Sequence, residues 1–241
     1  MTRGQTAAGR TRLAGSLNWA GYAISRRAVT FRSVSATFFV PYLNCAQSPG
    51  ATMSSAWAGL DGFISGSNSV EQTGIAANCT AGGSASYFGW VEMFPRAEAK
   101  IPLRIRPGDS VTATVSYRGA RFRLTLTDNT TGQHYTRDRG CPDATVSGHR
   151  LRCLRSSAEV IAEAPETGTG GQLTIAPLAD YGAISFARIA ITDSAGQRGG
   201  LISRLWNTTR IIQLRSQAGV TLAQPTSVAA SSDSVYWLRE S

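Results

Sequence analysis

Long apolar runs are missing from this chain. No stretch approaches the ~18 consecutive residues that a membrane-spanning helix needs. The opening residues, Met1 to Gly15, are polar and contain arginines, so they lack the apolar core of a signal peptide. We therefore expect no membrane partner, and we expect that any signal or propeptide is not present in this chain.

Histidine is also scarce, which limits the chemistry. His134 and His149 are the only two histidines, and no Gly-x-Ser-x-Gly turn is present, which argues against a serine triad. A P-loop and a dinucleotide fingerprint are absent too. The cysteines show no Cys-x-x-Cys spacing and have no set of histidines to complete a zinc site. We expect neither a metal nor a cofactor.

Lysine is almost absent, although the chain is strongly basic. Lys100 is the only lysine among 24 basic residues, and the net charge is +9. Basic proteins often bind nucleic acid, because Lys and Arg neutralise phosphates. Here the arginines are scattered, with small groups at Arg26-Arg27 and between Arg150 and Arg155, and no known DNA- or RNA-binding motif accompanies them. We predict a solvated, arginine-biased surface and no nucleic-acid partner.

Four cysteines allow three disulfide pairings. Cys141 and Cys153 bracket a polar loop that a disulfide would close, which leaves Cys45 and Cys79 as the remaining pair. The sequence favours this pairing without excluding the others. Paired cysteines favour a secreted protein.

The chain has few helix signals and many strand signals. Short apolar runs, often alternating with Ser and Thr, are bounded by Gly, Pro, Asn and Asp. Because all-β sandwiches commonly reach this length, we predict one all-β domain over residues 18–241. We also expect the protein to be a monomer. The fold predicted is an antiparallel β-sandwich of two curved sheets, of the lectin or glucanase jelly-roll type. Residues 1–17 are predicted to form a flexible N-terminal arm.

Three predicted strands between Ser54 and Pro95 place unusual residues on one face. Alternation along a strand puts Trp57 and Asp61 on one face, and it does the same for Trp90 and Glu92. The strand between them carries Gln72. Large Trp rings are uncommon on a solvated face and carboxylates are uncommon in a dry core, so we predict a half-buried groove.

A fourth stretch, Ser156 to Pro165, adds two carboxylates. Glu159 and Glu163 lie on one face of a predicted strand, with Ile161 between them. A polar face exposed to solvent is the simpler interpretation. The functional interpretation is carboxylate chemistry: two glutamates suit a glycosidase, whereas a glutamate beside a glutamine suits amide hydrolysis, in which the carboxylate activates water and the amide stabilises the oxyanion.

Several short segments resemble the glutamic peptidases, also called eqolisins. The segments are Asn18-Trp19-Ala20-Gly21, Ser55-Ala56-Trp57-Ala58-Gly59-Leu60-Asp61-Gly62, Gln72-Thr73-Gly74, Trp90-Val91-Glu92-Met93-Phe94-Pro95 and Ala158-Glu159-Val160-Ile161-Ala162-Glu163. They occur in the family's order and at similar spacing. Two features differ: Val160 stands where the family has Trp, and the loop from Gly62 to Glu71 is longer and lacks a Cys. The basic charge and the arginine bias suggest a bacterial member.

The resemblance implies an acid-active endopeptidase on a β-sandwich, without metal or cofactor and acting on polypeptide substrates. The family's catalytic glutamate matches Glu163, not Glu159, and its catalytic glutamine matches Gln72. The supporting or substrate-binding residues are expected to be Trp19, Trp57, Asp61, Trp90, Glu92 and Glu159. In this scheme Trp57 and Trp90 wall the cleft, while Asp61 and Glu92 fix Gln72 or its neighbours.

A carbohydrate-active protein on the same fold is the alternative hypothesis. It would be either a glycosidase that uses Glu92 and Glu163 or a lectin that stacks sugars on Trp57 and Trp90. This alternative rests on similarity of fold alone, which says little about function. It is distinguished by Gln72, which a glycosidase would not need.

Overall fold

The computed structural model describes residues 11–47, 50–146, 148–168, 173–215, 219–228 and 232–240. Within these ranges the chain forms strands and one short 3-10 helix, Cys45–Gln47. The strands are β1 Thr11–Ser16, β2 Trp19–Ser25, β3 Phe31–Phe39, β4 Thr52–Leu60, β5 Val70–Cys79, β6 Ala85–Phe94, β7 Ala99–Lys100, β8 Ser110–Arg118, β9 Arg121–Asp128, β10 His134–Arg139, β11 Thr145–Val146, β12 His149–Arg150, β13 Ser157–Glu163, β14 Glu166–Thr167, β15 Thr174–Ile175, β16 Ala183–Asp193, β17 Arg198–Gly199, β18 Asn207–Leu214, β19 Thr221–Pro225 and β20 Ser232–Trp237.

Most strands join one long sheet that folds over on itself. Its order is β10-β9-β8-β3-β16-β20-β19-β18-β2-β13-β4-β5-β6-β7, and β17 pairs with β16 at one side. Successive neighbours on this path are antiparallel. The layer with β3, β8, β9 and β16 packs against the layer with β13, β4, β5 and β6. The predicted all-β, antiparallel sandwich is confirmed.

The core between the layers follows from the alternation of residues along each strand. In β8, Val111, Ala113 and Val115 point inward and are fully buried, while the Ser and Thr residues between them are partly exposed. The rings of Phe38 and Phe186 meet edge to face in this core, with centroids 5.4 Å apart. One large hydrophobic cluster draws residues from both layers. The two layers therefore share one hydrophobic core.

The N-terminal segment differs from the predicted flexible arm. Thr11–Ser16 forms β1, which pairs in parallel with β18. The sequence did not predict this strand, because parallel pairing joins segments far apart in the chain and leaves no local pattern. Residues 1–10 of the predicted arm lie outside the described residues.

Both predicted disulfides are confirmed. Cys45 bonds to Cys79 at the end of β5, and Cys141 bonds to Cys153 across the polar loop. Cys153 is four residues before β13 begins at Ser157. The second disulfide therefore closes the loop that leads into β13.

None of the described segments forms a helix long and apolar enough to cross a membrane.

Candidate active site

A cleft of about 800 Å³ lies over the face formed by β2, β13, β4, β5 and β6. Gln72, Glu92 and Glu163 line it, together with Trp19 and Trp90. These residues come from four strands whose register places them on one side of the sheet. The fold thus brings both predicted catalytic side chains into one groove.

Glu163, the last residue of β13, is held at both carboxylate oxygens. Asn18 Nδ2 donates to Oε1 at 2.9 Å, and Trp57 Nε1 donates to Oε2 at 2.7 Å. Both donors are N–H groups, so both bonds favour the ionised carboxylate. Two bonds of this kind fix the orientation of the carboxylate towards the cleft.

Burial favours the protonated form of the Glu163 carboxyl group, in contrast to these hydrogen bonds. Desolvation raises the pKa of Glu163 to about 8. The hydrogen bond from Trp57 opposes this shift, and the nearby charge of Glu92 reinforces it. At acid pH the carboxyl group is therefore mainly protonated.

Two glycines allow the close packing around Trp57. A Cβ on Gly59 would lie 2.9 Å from Cζ3 of the Trp57 ring, and one on Gly74 would overlap Ala56 O and lie 2.6 Å from Trp57 Cβ. Trp19 then covers the ring edge to face, with centroids 5.0 Å apart. Trp57 is fully buried, so it lies beneath the cleft and supports Glu163, instead of forming the wall that the sequence predicted.

Gln72 is oriented by its cross-strand neighbour. Gln72 on β5 lies opposite Glu92 on β6, and Gln72 Nε2 donates to Glu92 Oε2 at 2.5 Å. The oxygen of the amide, Oε1, is buried and has no partner among the described residues. One N–H and the amide oxygen of Gln72 therefore have no hydrogen-bond partner among the described residues.

Glu92 is itself perturbed by burial. Desolvation raises the pKa of Glu92 to about 7, the hydrogen bond from Gln72 lowers it, and the charges of Glu98 and Glu166 raise it. Trp90, two residues earlier on the same strand, lines the cleft as predicted. Its indole N–H is buried without a partner in the described part of the chain.

Asp61 and Glu159 lie away from the cleft, in contrast to the prediction. Asp61 follows the end of β4 and adopts a left-handed backbone with φ of 69°, so its side chain leaves the predicted face. Its carboxylate accepts hydrogen bonds from the backbone N–H groups of Arg155, at 2.5 Å, and Ser156, at 2.7 Å. Asp61 thus anchors the start of the strand that carries Glu163, and it makes no hydrogen bond to Gln72.

Glu159 shares a face with Glu163 but is fully covered, with 0% of its surface exposed. It belongs to a buried acidic group with Asp61 and Glu71. Desolvation raises the pKa of both groups well above the ordinary value, and the charge of Asp61 raises it further. The Ser69 hydroxyl lowers the pKa of Glu71 and the Ser157 hydroxyl lowers the pKa of Glu159, but the effect of burial is larger for both.

No role was predicted for Asn18 or Glu71 from the sequence. Asn18 stands inside the first motif, directly before Trp19, whose register partner on β13 is Glu163. The position of Asn18 next to Trp19 is visible in the sequence. Its contact with Glu163 can be predicted only when the pairing of β2 with β13 is known. Glu71 precedes Gln72 on β5, so its side chain lies on the opposite face of the strand, away from the cleft. The sequence therefore gave no functional signal for it.

No group of three or more His, Cys, Asp or Glu side chains among the described residues has a geometry that could hold a metal ion.

Comparison with solved structures reveals the same fold. Scytalido-glutamic peptidase, solved with a transition-state analogue inhibitor, superposes with a TM-score of 0.74 and 24% identity over 92% of this chain and 99% of that one. SCP-B, an eqolisin solved with the tripeptide Ala-Ile-His, gives a TM-score of 0.69 at 24% identity, over 92% and 99% of the two chains. Aspergilloglutamic peptidase from Aspergillus niger gives 0.59 at 26% identity, over 78% and 99%.

A comparison with curated proteins gave no match. A family model, in contrast, covers residues 17–237, which is nearly the whole chain and includes every motif quoted above. This match favours the peptidase hypothesis over the carbohydrate-active alternative. The chain belongs to the Peptidase A4 family, and it is a glutamic endopeptidase of the eqolisin type.

Proposed function

We propose that this endopeptidase works in acid, is insensitive to pepstatin, and cleaves polypeptides with Gln72 and Glu163 as its catalytic dyad. The observation that carries the proposal is the cleft itself. The Glu163 carboxylate is held by two N–H donors, and the Gln72 amide, with one N–H and its oxygen free, lines the same cleft. This pairing supplies a proton acceptor and an oxyanion donor to one bound peptide bond.

In the proposed reaction, ionised Glu163 takes a proton from a water molecule that attacks the peptide carbonyl carbon. The free N–H of Gln72 donates to the carbonyl oxygen as it becomes an oxyanion, and Gln72 Oε1 accepts a hydrogen bond from the attacking water. Protonated Glu163 then gives its proton to the leaving amine nitrogen as the C–N bond breaks. The reaction consumes one water molecule, and the proton taken from it passes through Glu163 to the leaving amine, so no further reactant is needed.

The raised pKa of Glu163 shapes this mechanism. In acid the general-base step draws on the minority of molecules in which the carboxyl group is ionised. Each such carboxylate is a stronger base than an ordinary glutamate, because basicity increases with pKa. The protonated form is the one that the second step requires.

Acid operation is further supported by the buried acidic group of Asp61, Glu71 and Glu159. Protonated glutamates can stay buried without ion partners, whereas ionised ones cannot do so cheaply. The fold is thus better suited to acid than to neutral solution.

We also propose that the protein is secreted and acts as a monomer, without nucleic-acid or membrane partners. The two disulfides support secretion, because such bonds persist in oxidising compartments.

Digestion of casein from pH 2 to 7, with pepstatin present, tests the proposal. We expect cleavage by the wild type, and none by Glu163→Gln, whose amide cannot accept the proton. Gln72→Ala should lose at least about 100-fold in kcat/KM, a loss typical of a missing oxyanion donor. Gln224→Ala, an exposed glutamine on β19, is the matched control. Full activity in Gln72→Ala would overturn the dyad.

A further inference from the structure

A second cleft lies on the other layer of the sandwich, with a volume of about 790 Å³. Its strands are β3, β8, β16 and β17, and none of the active-site residues lines it. Four arginines surround it: Arg32, Arg118, Arg155 and Arg198. Among the described residues, its lining contains no Asp or Glu.

The floor of this basic cleft is a row of hydroxyl groups set by strand register. Ser33 on β3 lies opposite Ser116 on one side and Thr192 on the other. Thr192 in turn lies opposite Arg198. Val34, Val115 and Ile191, which neighbour these residues along their strands, are fully buried in the core, so the hydroxyl row faces outward.

A bulge adds Arg32 to the same cleft. The pairing of β3 with β16 shifts register after Ser33, so that Phe31 lies opposite Asp193 and no residue of β16 lies opposite Arg32. A bulge of this kind redirects a side chain. Arg32 and Ser33 consequently both line the cleft, although they are adjacent in sequence.

Arg155 is held in place before any ligand arrives. Its guanidinium lies over the ring of Tyr117, 3.9 Å from the centroid, and its Nη1 donates to Ser194 Oγ at 3.3 Å. Tyr117 is itself fixed by a hydrogen bond from its hydroxyl to the carbonyl of Gly119. A guanidinium held by stacking loses less conformational entropy when it binds an anion.

The four arginines form no close ion pair among the described residues, although Asp138 attracts Arg118 and Glu71 attracts Arg155 at longer range. Ion pairs form elsewhere, as between Arg123 and Asp138 at 2.8 Å, but none of the four arginines of the basic cleft forms one among the described residues. Four like charges around one cleft repel each other, and an anion bound there would relieve this repulsion.

We propose that the basic cleft binds a small ligand that carries two or more phosphate or sulfate groups. Four guanidinium groups balance about two phosphates, each of which carries roughly −1.5 to −2 at neutral pH. Phosphate and sulfate keep negative charge in acid, whereas carboxylates lose theirs near pH ~4. The arginine forks match tetrahedral oxyanions, and the hydroxyl row supplies further donors.

The test is isothermal titration calorimetry of the full chain at pH 5 and low salt. One arm uses inorganic tripolyphosphate and the other a disulfated disaccharide, which distinguishes phosphate from sulfate ligands. The variant Arg32→Ala/Arg198→Ala removes two exposed arginines of the basic cleft. Arg104→Ala/Arg106→Ala removes the same charge from exposed positions outside it and is the matched control.

We expect binding of one probe molecule per chain in at least one arm. The affinity should fall at least about 10-fold in Arg32→Ala/Arg198→Ala, since this variant removes two charged hydrogen-bond donors from the basic cleft. It should change less than about 3-fold in the control. Absence of binding in both arms, or equal weakening in both variants, would overturn the proposal, because equal weakening means that only the net charge matters.

Discussion

The indole nitrogen of Trp57 donates a 2.7 Å hydrogen bond to Oε2 of Glu163, from beneath the floor of the cleft. The two residues lie on neighbouring strands, β4 and β13, and Trp57 is fully buried. The carboxylate that performs the proposed chemistry is therefore oriented by a core residue. This relationship can be tested by removing the N–H while keeping an aromatic ring.

Trp57→Phe should lower kcat/KM by about 10- to 100-fold, because a hydrogen bond to a charged group contributes about 1.5–3 kcal/mol. The Trp57 bond also lowers the pKa of Glu163, so its loss should move the ascending limb of the pH–rate profile to higher pH. Steady-state kinetics across pH measures both effects. Trp206→Phe is the control, since it removes an indole N–H that donates to Gly200 O in the core of the molecule. Equal losses in the two variants would indicate a general packing defect.

Glu92→Gln should reduce kcat with little effect on folding. Glu92 accepts the hydrogen bond that orients the Gln72 amide. If the side-chain NH₂ of a glutamine at position 92 faces the NH₂ of Gln72, no hydrogen bond can form and the Gln72 amide turns away. We expect a loss of roughly 10-fold or more, appearing in kcat more than in KM. Glu98→Gln, which changes another cleft glutamate with a raised pKa and no contact to Gln72, should retain most activity. If the two variants behave alike, Glu92 acts only through its charge.

The pH dependence of kcat/KM follows from the raised pKa of Glu163, about 8. If ionised Glu163 is the base, kcat/KM should rise with pH through the acid range while the protein stays folded. Initial rates with a fluorogenic peptide, checked by circular dichroism at each pH, provide the measurement. A kcat/KM that falls steadily from pH 3 upward would assign the first step to the protonated carboxyl group instead.

Stability should be greatest in acid and should fall as the pH rises. The folded-state pKa values of Glu71 and Glu159 are raised by burial above those of the unfolded chain. Their contribution is therefore fully present below the ordinary glutamate pKa of about 4.3 and is lost as pH rises through the raised values. Urea unfolding at pH 4 and pH 7.5 measures the difference in free energy of unfolding.

The variant Glu71→Gln/Glu159→Gln should show a smaller difference between the two pH values, because its amides do not ionise. Glu166→Gln, at an exposed glutamate, serves as the control. Wild-type stability that is equal at both pH values would contradict the assignment of these two groups as buried and protonated.

Much of the site could be predicted because strand alternation is local. The period of two placed Gln72, Trp90 and Glu92 on one face, and the structure brings all three to the cleft. Alternation could not distinguish Glu159 from Glu163, since residues four apart in a strand share a face. The two residues differ in exposure: the side chain of Glu159 is fully buried, whereas Glu163, at the end of β13, lines the cleft.

The remaining differences come from non-local structure. Asp61 left its predicted face because β4 ends at Leu60 and the next residue adopts a positive φ. Asn18 acquired its contact because β2 pairs with β13, which is more than a hundred residues away in sequence. Neither event leaves a periodic signal in the chain. The fold class was therefore easier to predict than the hydrogen bonds of the site.

The strand β1 has a practical consequence for how this enzyme is handled. Ser16, at its end, donates to Asn18 Oδ1 at 3.2 Å, which turns the Asn18 Nδ2 group towards Glu163. A recombinant form that starts at Asn18 would keep every family motif, yet it would lose the anchor that aims this amide. Any shortened form therefore needs to keep β1 and its pairing with β18, because Ser16 at the end of β1 supports the proposed catalytic Glu163 through Asn18.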